Sequence, residues 1–83
     1  MRLVYFAWVR ERIGIEEETV DLPQSVKSTG DLLDWLRGRG PEYAHALPDD
    51  NTIRIAIDQV HAPGNALLSD AREVALFPPM TGG

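Results

Sequence analysis

Residues Leu3 to Trp8 form an unbroken apolar run, Leu-Val-Tyr-Phe-Ala-Trp, and no other feature limits the fold of this chain as tightly. A short run rich in Val and aromatics reads as a strand buried on both faces rather than as a one-sided edge, so it belongs in the interior of a sheet. From Val9 to Ile13 the sequence turns charged and ends at Gly14. Glycine suits the left-handed conformation that closes a helical turn, and a short helix is expected there. Val20 and Leu22 then alternate with Thr19 and Asp21 until Pro23. This is the period of a second strand, returning on the first as a hairpin.

Ser28 is an N-cap candidate with Asp31 three residues on; Asp is a weaker capping-box partner than Glu or Gln but favours the helix dipole. Leu32, Leu33, Trp35 and Leu36 fall on one side of the helix that follows, and Arg37-Gly38-Arg39-Gly40-Pro41 supplies its stop signals. Pro41 can open a further turn through Leu47, after which Pro48, Asp49, Asp50 and Asn51 read as a polar turn. Thr52 to Ile57 alternates Ile53, Ile55 and Ile57 with polar or small residues, a strand with one buried face, and Asp58 and Gln59 turn the chain. A loop through Ala62, Pro63, Gly64 and Asn65 leads to Leu67 and Leu68. The last strand spans Glu73 to Phe77, and Pro78 and Pro79 end all pairing.

The expected fold class is therefore α+β: a mixed sheet of four to five strands with one main helix and short extra helices. It forms a single domain over residues 1–83, with 79–83 as an extended tail. One helix covers one face of a sheet. The apolar surface left over either meets another protein or belongs to ordinary core packing.

Charge and composition remove several classes of function. Acidic residues outnumber basic ones 13 to 8, and no basic cluster exceeds the Arg37/Arg39 pair, so nucleic acid is not an expected partner. No apolar run approaches the roughly 18 residues of a membrane-spanning helix, and the N-terminus lacks the pattern of a secretory leader, which gives a cytoplasmic expectation. With no cysteine the chain has no disulfide, zinc thiolate or thiol nucleophile. His45 and His61 have no companions at ligand spacing, so no metal site is expected, and both read as surface or partly buried histidines. The Glu16-Glu17-Glu18 run and the Asp49-Asp50 pair read as solvated charge rather than acid/base machinery. Lys27, the one lysine, reads as a solubilising charge. Trp35 reads as core, at a cost of about 3 to 5 kcal/mol for Trp35→Ala if buried.

The chemistry-bearing segment is the end of the sequence. From Val74 to Gly83 no side chain is charged, two prolines forbid helix and ladder, and the chain closes on Thr81, Gly82 and Gly83. Four residues beyond Pro79 reach about 13 to 14 Å when extended, enough to enter a narrow active site while the folded body stays outside. A carboxylate on Gly83 has no side-chain obstruction, so an activating enzyme could couple it to AMP. A sulfur nucleophile could then displace the AMP and leave a terminal thiocarboxylate. Taken alone, a Gly-Gly end is weak evidence, since chance gives it to roughly one chain in two hundred. A frayed end and a proline-rich ligand segment are the other readings.

Two separated motifs add a family resemblance. The end Glu73-Val74-Ala75-Leu76-Phe77-Pro78-Pro79-Met80-Thr81-Gly82-Gly83 resembles the terminus of molybdopterin synthase small subunits. Phe6-Ala7-Trp8-Val9-Arg10-Glu11-Arg12-Ile13-Gly14 resembles that family's F-A-x-x-R-E-x-x-G signature. The resemblance implies a ubiquitin-like β-grasp across the whole chain. It also implies an E1-like enzyme that adenylates Gly83 with ATP, a sulfurtransferase system that installs the thiocarboxylate, and a large synthase subunit that uses it. The large subunit would convert cyclic pyranopterin monophosphate into the molybdopterin dithiolene. Two sulfurs per pterin imply two carriers, and with the large subunit a heterotetramer. On this reading the chain is a subunit and sulfur-donating cosubstrate, with no bound cofactor and no independent activity. Similarity also assigns docking to Phe6, Arg10 and Phe77, and to Pro78, Pro79, Met80 and Thr81 leading into Gly82 and Gly83. Two positions depart from the pattern: Asp58 stands where the family often has Asn, and Ala71-Arg72 replaces a Gly-Asp turn. The alternatives are a carrier of the same fold serving thiazole synthesis or tRNA thiolation, and a noncovalent ubiquitin-like interaction module.

Overall fold

The computed structural model describes residues 1–79; Met80, Thr81, Gly82 and Gly83 lie outside the described residues. The N-terminal apolar run divides between two elements, strand β1 (Arg2–Tyr5) and helix α1 (Ala7–Ile13), so the strand expected through Trp8 ends at Tyr5. Phe6 keeps extended geometry (φ −128°, ψ 154°), and Ala7 at φ 52° then swings the chain off the sheet. An L-residue in the left-handed region is disfavoured, and the short side chain of Ala limits that cost. Trp8 lies instead under the Arg12 guanidinium, 4.4 Å from its ring centroid. Gly14 closes α1 at φ 97°, as its position in the sequence required.

Strand β2 is Glu17–Thr19, earlier than the expected Thr19–Leu22. Its antiparallel register on β1, Arg2 opposite Thr19 and Val4 opposite Glu17, leaves no partner for Asp21 and Leu22 because β1 begins at Arg2. Helix α2 (Thr29–Arg37) starts as expected at Ser28 with a reciprocal capping box. The Asp31 N–H donates to Ser28 Oγ (3.2 Å), and Asp31 Oδ2 accepts from the N–H groups of Lys27 (3.1 Å) and Ser28 (3.3 Å). These bonds, the one from Lys27 foremost, hold the Asp31 carboxyl below its ordinary range. Helix α3 (Pro41–Ala46) and a 3₁₀ turn (Asp50–Thr52) precede strands β3 (Arg54–Ile57), β4 (Val60–His61) and β5 (Glu73–Phe77).

The sheet order is β2-β1-β5-β3-β4, with β1 and β5 parallel and every other pair antiparallel. The last strand in sequence is therefore the middle strand in space. Leu3, Tyr5, Val74 and Leu76 meet Val9 of α1, Leu32 and Leu36 of α2 and Leu47 after α3 in one fully buried core. All three helices thus cover the same face, which is the ubiquitin-like β-grasp, and the opposite face of the sheet carries no layer. Trp35 only packs against this core, with Arg39 5.1 Å from its ring centroid, so it is half-buried rather than internal.

Asp58 and Gln59 both take positive φ (49° and 71°), the geometry of a tight hairpin turn between β3 and β4. Asp tolerates that region as Asn does. Asp58 Oδ1 further accepts from the N–H groups of Arg72 and Glu73, each at 2.9 Å, which ties the hairpin to the start of β5. Those bonds, Glu73 first, lower the Asp58 carboxyl below its usual range. The departure from the family's Asn keeps the turn intact.

Glu18 corrects the reading of the acidic run. Its side chain is only 15% exposed, and Oε2 accepts from the hydroxyls of fully buried Tyr5 (2.7 Å) and of Tyr43 (2.8 Å), while Oε1 pairs with Arg39 at 2.9 Å. Burial pushes this carboxyl up, but the hydrogen bonds from Tyr5, Tyr43 and Arg39 outweigh it and the net shift is downward. Burial, and then the bond to Glu18, raises the phenols of Tyr5 and Tyr43. Because the folded carboxyl is the stronger acid, its contribution to stability is present above the unfolded value of about 4.3 and is lost as pH falls through the folded one. The phenols contribute below about pH 10 and lose that contribution as pH rises through their folded values. Glu18→Ala is expected to cost about 3 kcal/mol, because it strands two phenols and a guanidinium. Glu18→Gln should flatten the acid limb of stability measured by urea denaturation between about pH 3 and 7. Trp35→Ala should cost about 2 kcal/mol, below the range for a buried tryptophan.

Candidate functional site: the open sheet face and the exit of the tail

The side chains of the uncovered face follow from alternation along each strand and from the register between strands. Thr19, Arg2 and Glu73 form one cross-strand row. Glu17, Val4, Ala75, Ala56 and His61 form the next. Phe77 faces Arg54 across β5 and β3. Phe6 continues β1 into that third row, since its N–H donates to Leu76 O at 3.1 Å. The face therefore grades from a charged row, through small apolar residues, to an aromatic row at the end where β5 gives way to Pro78 and Pro79.

Each row has a physical cause. Arg2 pairs with Glu73 (3.5 Å) in its own row and with Glu17 (2.6 Å) in the next. The hydrogen bond and charge of Glu17 raise the Arg2 guanidinium above its ordinary value, against a smaller lowering by burial. Ala56 and Ala75 hold the middle of the sheet low, leaving a shallow trough beneath the aromatic row. Phe6 is 47% exposed, a large apolar surface with no layer over it. Arg10 is exposed on α1, one helical turn beyond Phe6. Phe77, Pro78 and Pro79 are half-buried.

The structure thus brings together Phe6, Phe77, Pro78 and Pro79 at one end of the open face, with Arg10 on the adjoining helix. Met80, Thr81, Gly82 and Gly83 lie outside the described residues. His61 joins the same surface, its ring centroid 6.5 Å from that of Phe77 at a 49° tilt. Sequence reasoning missed it because β4 is two residues long and shows no periodicity, although the turn signal at Asp58-Gln59 announces a returning strand. Among the described residues no group of three or more His, Asp or Glu side chains could hold a metal ion. No helix among them is long and apolar enough to cross a membrane. A concavity of about 590 Å³ lies between α2, β3 and the 62–65 loop, with Arg54 and His61 in its wall. Its floor is core, and part of its polar rim is satisfied within the chain: Asn65 Oδ1 accepts from the Gly30 N–H at 2.9 Å, and Thr29 Oγ1 donates to Gly64 O and accepts from the Ala66 N–H.

Among the described residues the open face presents no nucleophile, acid/base pair or enclosed cavity. What it offers is an exposed apolar surface that ends at Pro78 and Pro79. Phe6→Ala and Arg10→Ala should each change stability by less than about 0.5 to 1 kcal/mol, because both side chains are exposed. Thermal unfolding compared with partner binding separates such a surface role from a packing role.

Comparison with known proteins gives a consistent picture. The sequence profile of the ThiS family matches residues 3–83. The molybdopterin synthase sulfur carrier subunit of Escherichia coli is 33% identical over 85 residues, covering 100% of this chain and 99% of that protein. The subunit of the same name from Haemophilus influenzae is 29% identical over 83 residues, covering 100% and 99%. Among solved structures, the crystal structure of SAMP1 from Haloferax volcanii superimposes with a TM-score of 0.74 at 28% identity, covering 100% of this chain and 98% of that one.

Proposed function

The chain belongs to the ThiS family, and from that premise we propose that it is the small, sulfur-carrying subunit of molybdopterin synthase. The observation that carries this reading is similarity over the full length to two proteins named as that subunit, with the tail motif Phe77-Pro78-Pro79 set at the edge of an apolar docking face.

The body docks and the tail reacts. An oxygen of the Gly83 carboxylate attacks the α-phosphorus of ATP in an E1-like enzyme, and pyrophosphate leaves. A sulfide-level sulfur nucleophile supplied by a sulfurtransferase system then attacks the acyl carbon and AMP leaves, so that sulfur replaces one terminal oxygen as a thiocarboxylate. In the large subunit that sulfur attacks an electrophilic carbon of cyclic pyranopterin monophosphate, and water then cleaves the resulting thioester at its acyl carbon, freeing the Gly83 carboxylate and leaving the sulfur on the pterin; two carriers supply the two sulfurs of the dithiolene. Glycine at 82 and 83 gives the arm the narrow profile that passage into an active site demands. Phe6, Arg10, Phe77, Pro78, Pro79, Met80 and Thr81 contact the partner. The chain binds no cofactor of its own, ATP being the activating enzyme's substrate, and it acts in the cytoplasm.

Intact-mass spectrometry after incubation with a molybdopterin-type activating enzyme, ATP and a sulfur donor tests this directly. The full-length chain is expected to gain the mass of one oxygen-to-sulfur replacement, and a chain lacking Gly83 is expected to gain none. An unchanged mass for the full-length chain would refute the carrier role. Transfer of the sulfur to a thiazole or tRNA acceptor but not to the pterin would keep the carrier and reassign its pathway.

A further inference from the structure

Resting on the reading of this chain as a carrier that docks through its open face, we propose that His61 sets the specificity of docking. In its protonated form it pairs with a carboxylate on the partner protein. His61 ends the row Val4, Ala75, Ala56 on the open face and is exposed on edge strand β4. Its neighbours in that row are alanines, so the imidazole stands above the trough beside the Phe77 ring, 6.5 Å between centroids. Any protein that covers Phe77 must also cover His61.

The charge around it decides what that protein presents. The chain carries a net charge of −5, yet the aromatic end of the open face is cationic. Arg54 lies opposite Phe77 and diagonal to His61, and Arg10 flanks Phe6. Among the described residues neither arginine forms an ion pair, whereas Arg2, Arg37 and Arg39 all do. The acids of the same face, Glu17 and Glu73, are both engaged by Arg2.

Among the described residues His61 forms no ion pair with a carboxylate from the elements around it. Strand β3 contributes Arg54, a like charge. The β3–β4 turn contributes Asp58, whose Oδ1 is taken by the N–H groups of Arg72 and Glu73. From β5 comes uncharged Phe77. On the helix side, α2 contributes Thr29, Gly30 and Leu33, and Asp50 is paired with Arg37. A partner carboxylate would meet an imidazolium and Arg54 together at the rim of an apolar contact. There an ion pair steers and selects more than it adds affinity. The partner is therefore an acidic-rimmed protein surface.

Calorimetric titration of the full-length chain with the large subunit of molybdopterin synthase, at about pH 8 and pH 6 within the range where imidazole changes charge, tests this. The unsubstituted chain is expected to bind about fivefold more tightly at the lower pH, a gain that fades at high salt. His61→Gln should remove the gain. His61→Phe should keep the affinity at pH 8, through contact with Phe77, while losing the pH response. The same pH response in the unsubstituted and His61→Gln chains, or none in either, would overturn the role of His61 and leave the docking face standing. No binding by the unsubstituted chain at either pH would sink the role of His61 and the reading on which it rests.

Discussion

The parallel pairing of β1 with β5 is the interaction on which the rest of the structure depends. It brings together the two ends of the sequence, Arg2 opposite Glu73 through Tyr5 opposite Leu76, and continues one step further in the Phe6 N–H to Leu76 O bond. Closing so large a loop costs entropy that grows only slowly with its length, so the burial of Val74, Ala75 and Leu76 at the sheet centre can offset it. The pairing also sets Phe6 beside Phe77, and it fixes the point at which Pro78 and Pro79 lead the chain away from the sheet. Without that register there is neither an aromatic row nor a defined origin for the tail.

A second constraint holds the helical layer to this sheet. Glu18 joins β2 to β1 through Tyr5 and to α3 through Tyr43, and Arg39 lies between them, 5.1 and 4.9 Å from the ring centroids of Trp35 and Tyr43. A carboxylate this sheltered is stable only because every strong donor around it points inward. Its two phenols in turn need an acceptor, so the network has little tolerance for losing any member.

The parts of the fold legible in the sequence were those carried by local rules. Ser28 and Asp31 marked the start of α2, Gly14 the end of α1, and Pro78-Pro79 the end of β5; each rests on backbone geometry that no tertiary contact overrides. The parts that were not legible depend on register. Leu3 to Trp8 looked like one strand because apolar character does not distinguish a buried strand from the buried side of a short helix, and Ala7 gives no sign of its positive φ. Glu18 was indistinguishable from Glu16 and Glu17 until pairing with β1 placed it beneath Tyr5. His61 stood alone in sequence and acquired its neighbour Phe77 only through β3. The aromatics of the open face were legible as residues, but the trough of Ala56 and Ala75 beneath them was not.

The proposed function divides the labour between a folded surface that docks and a C-terminal carboxylate that carries sulfur. Competition at the large subunit of molybdopterin synthase probes that division most directly. A chain lacking Gly82 and Gly83, added in excess to thiocarboxylated full-length protein, should occupy the docking site and suppress pterin sulfuration in proportion to its concentration. Full-rate sulfuration at saturating truncated chain would contradict the division, since the body would then contribute nothing to recognition apart from its last two glycines.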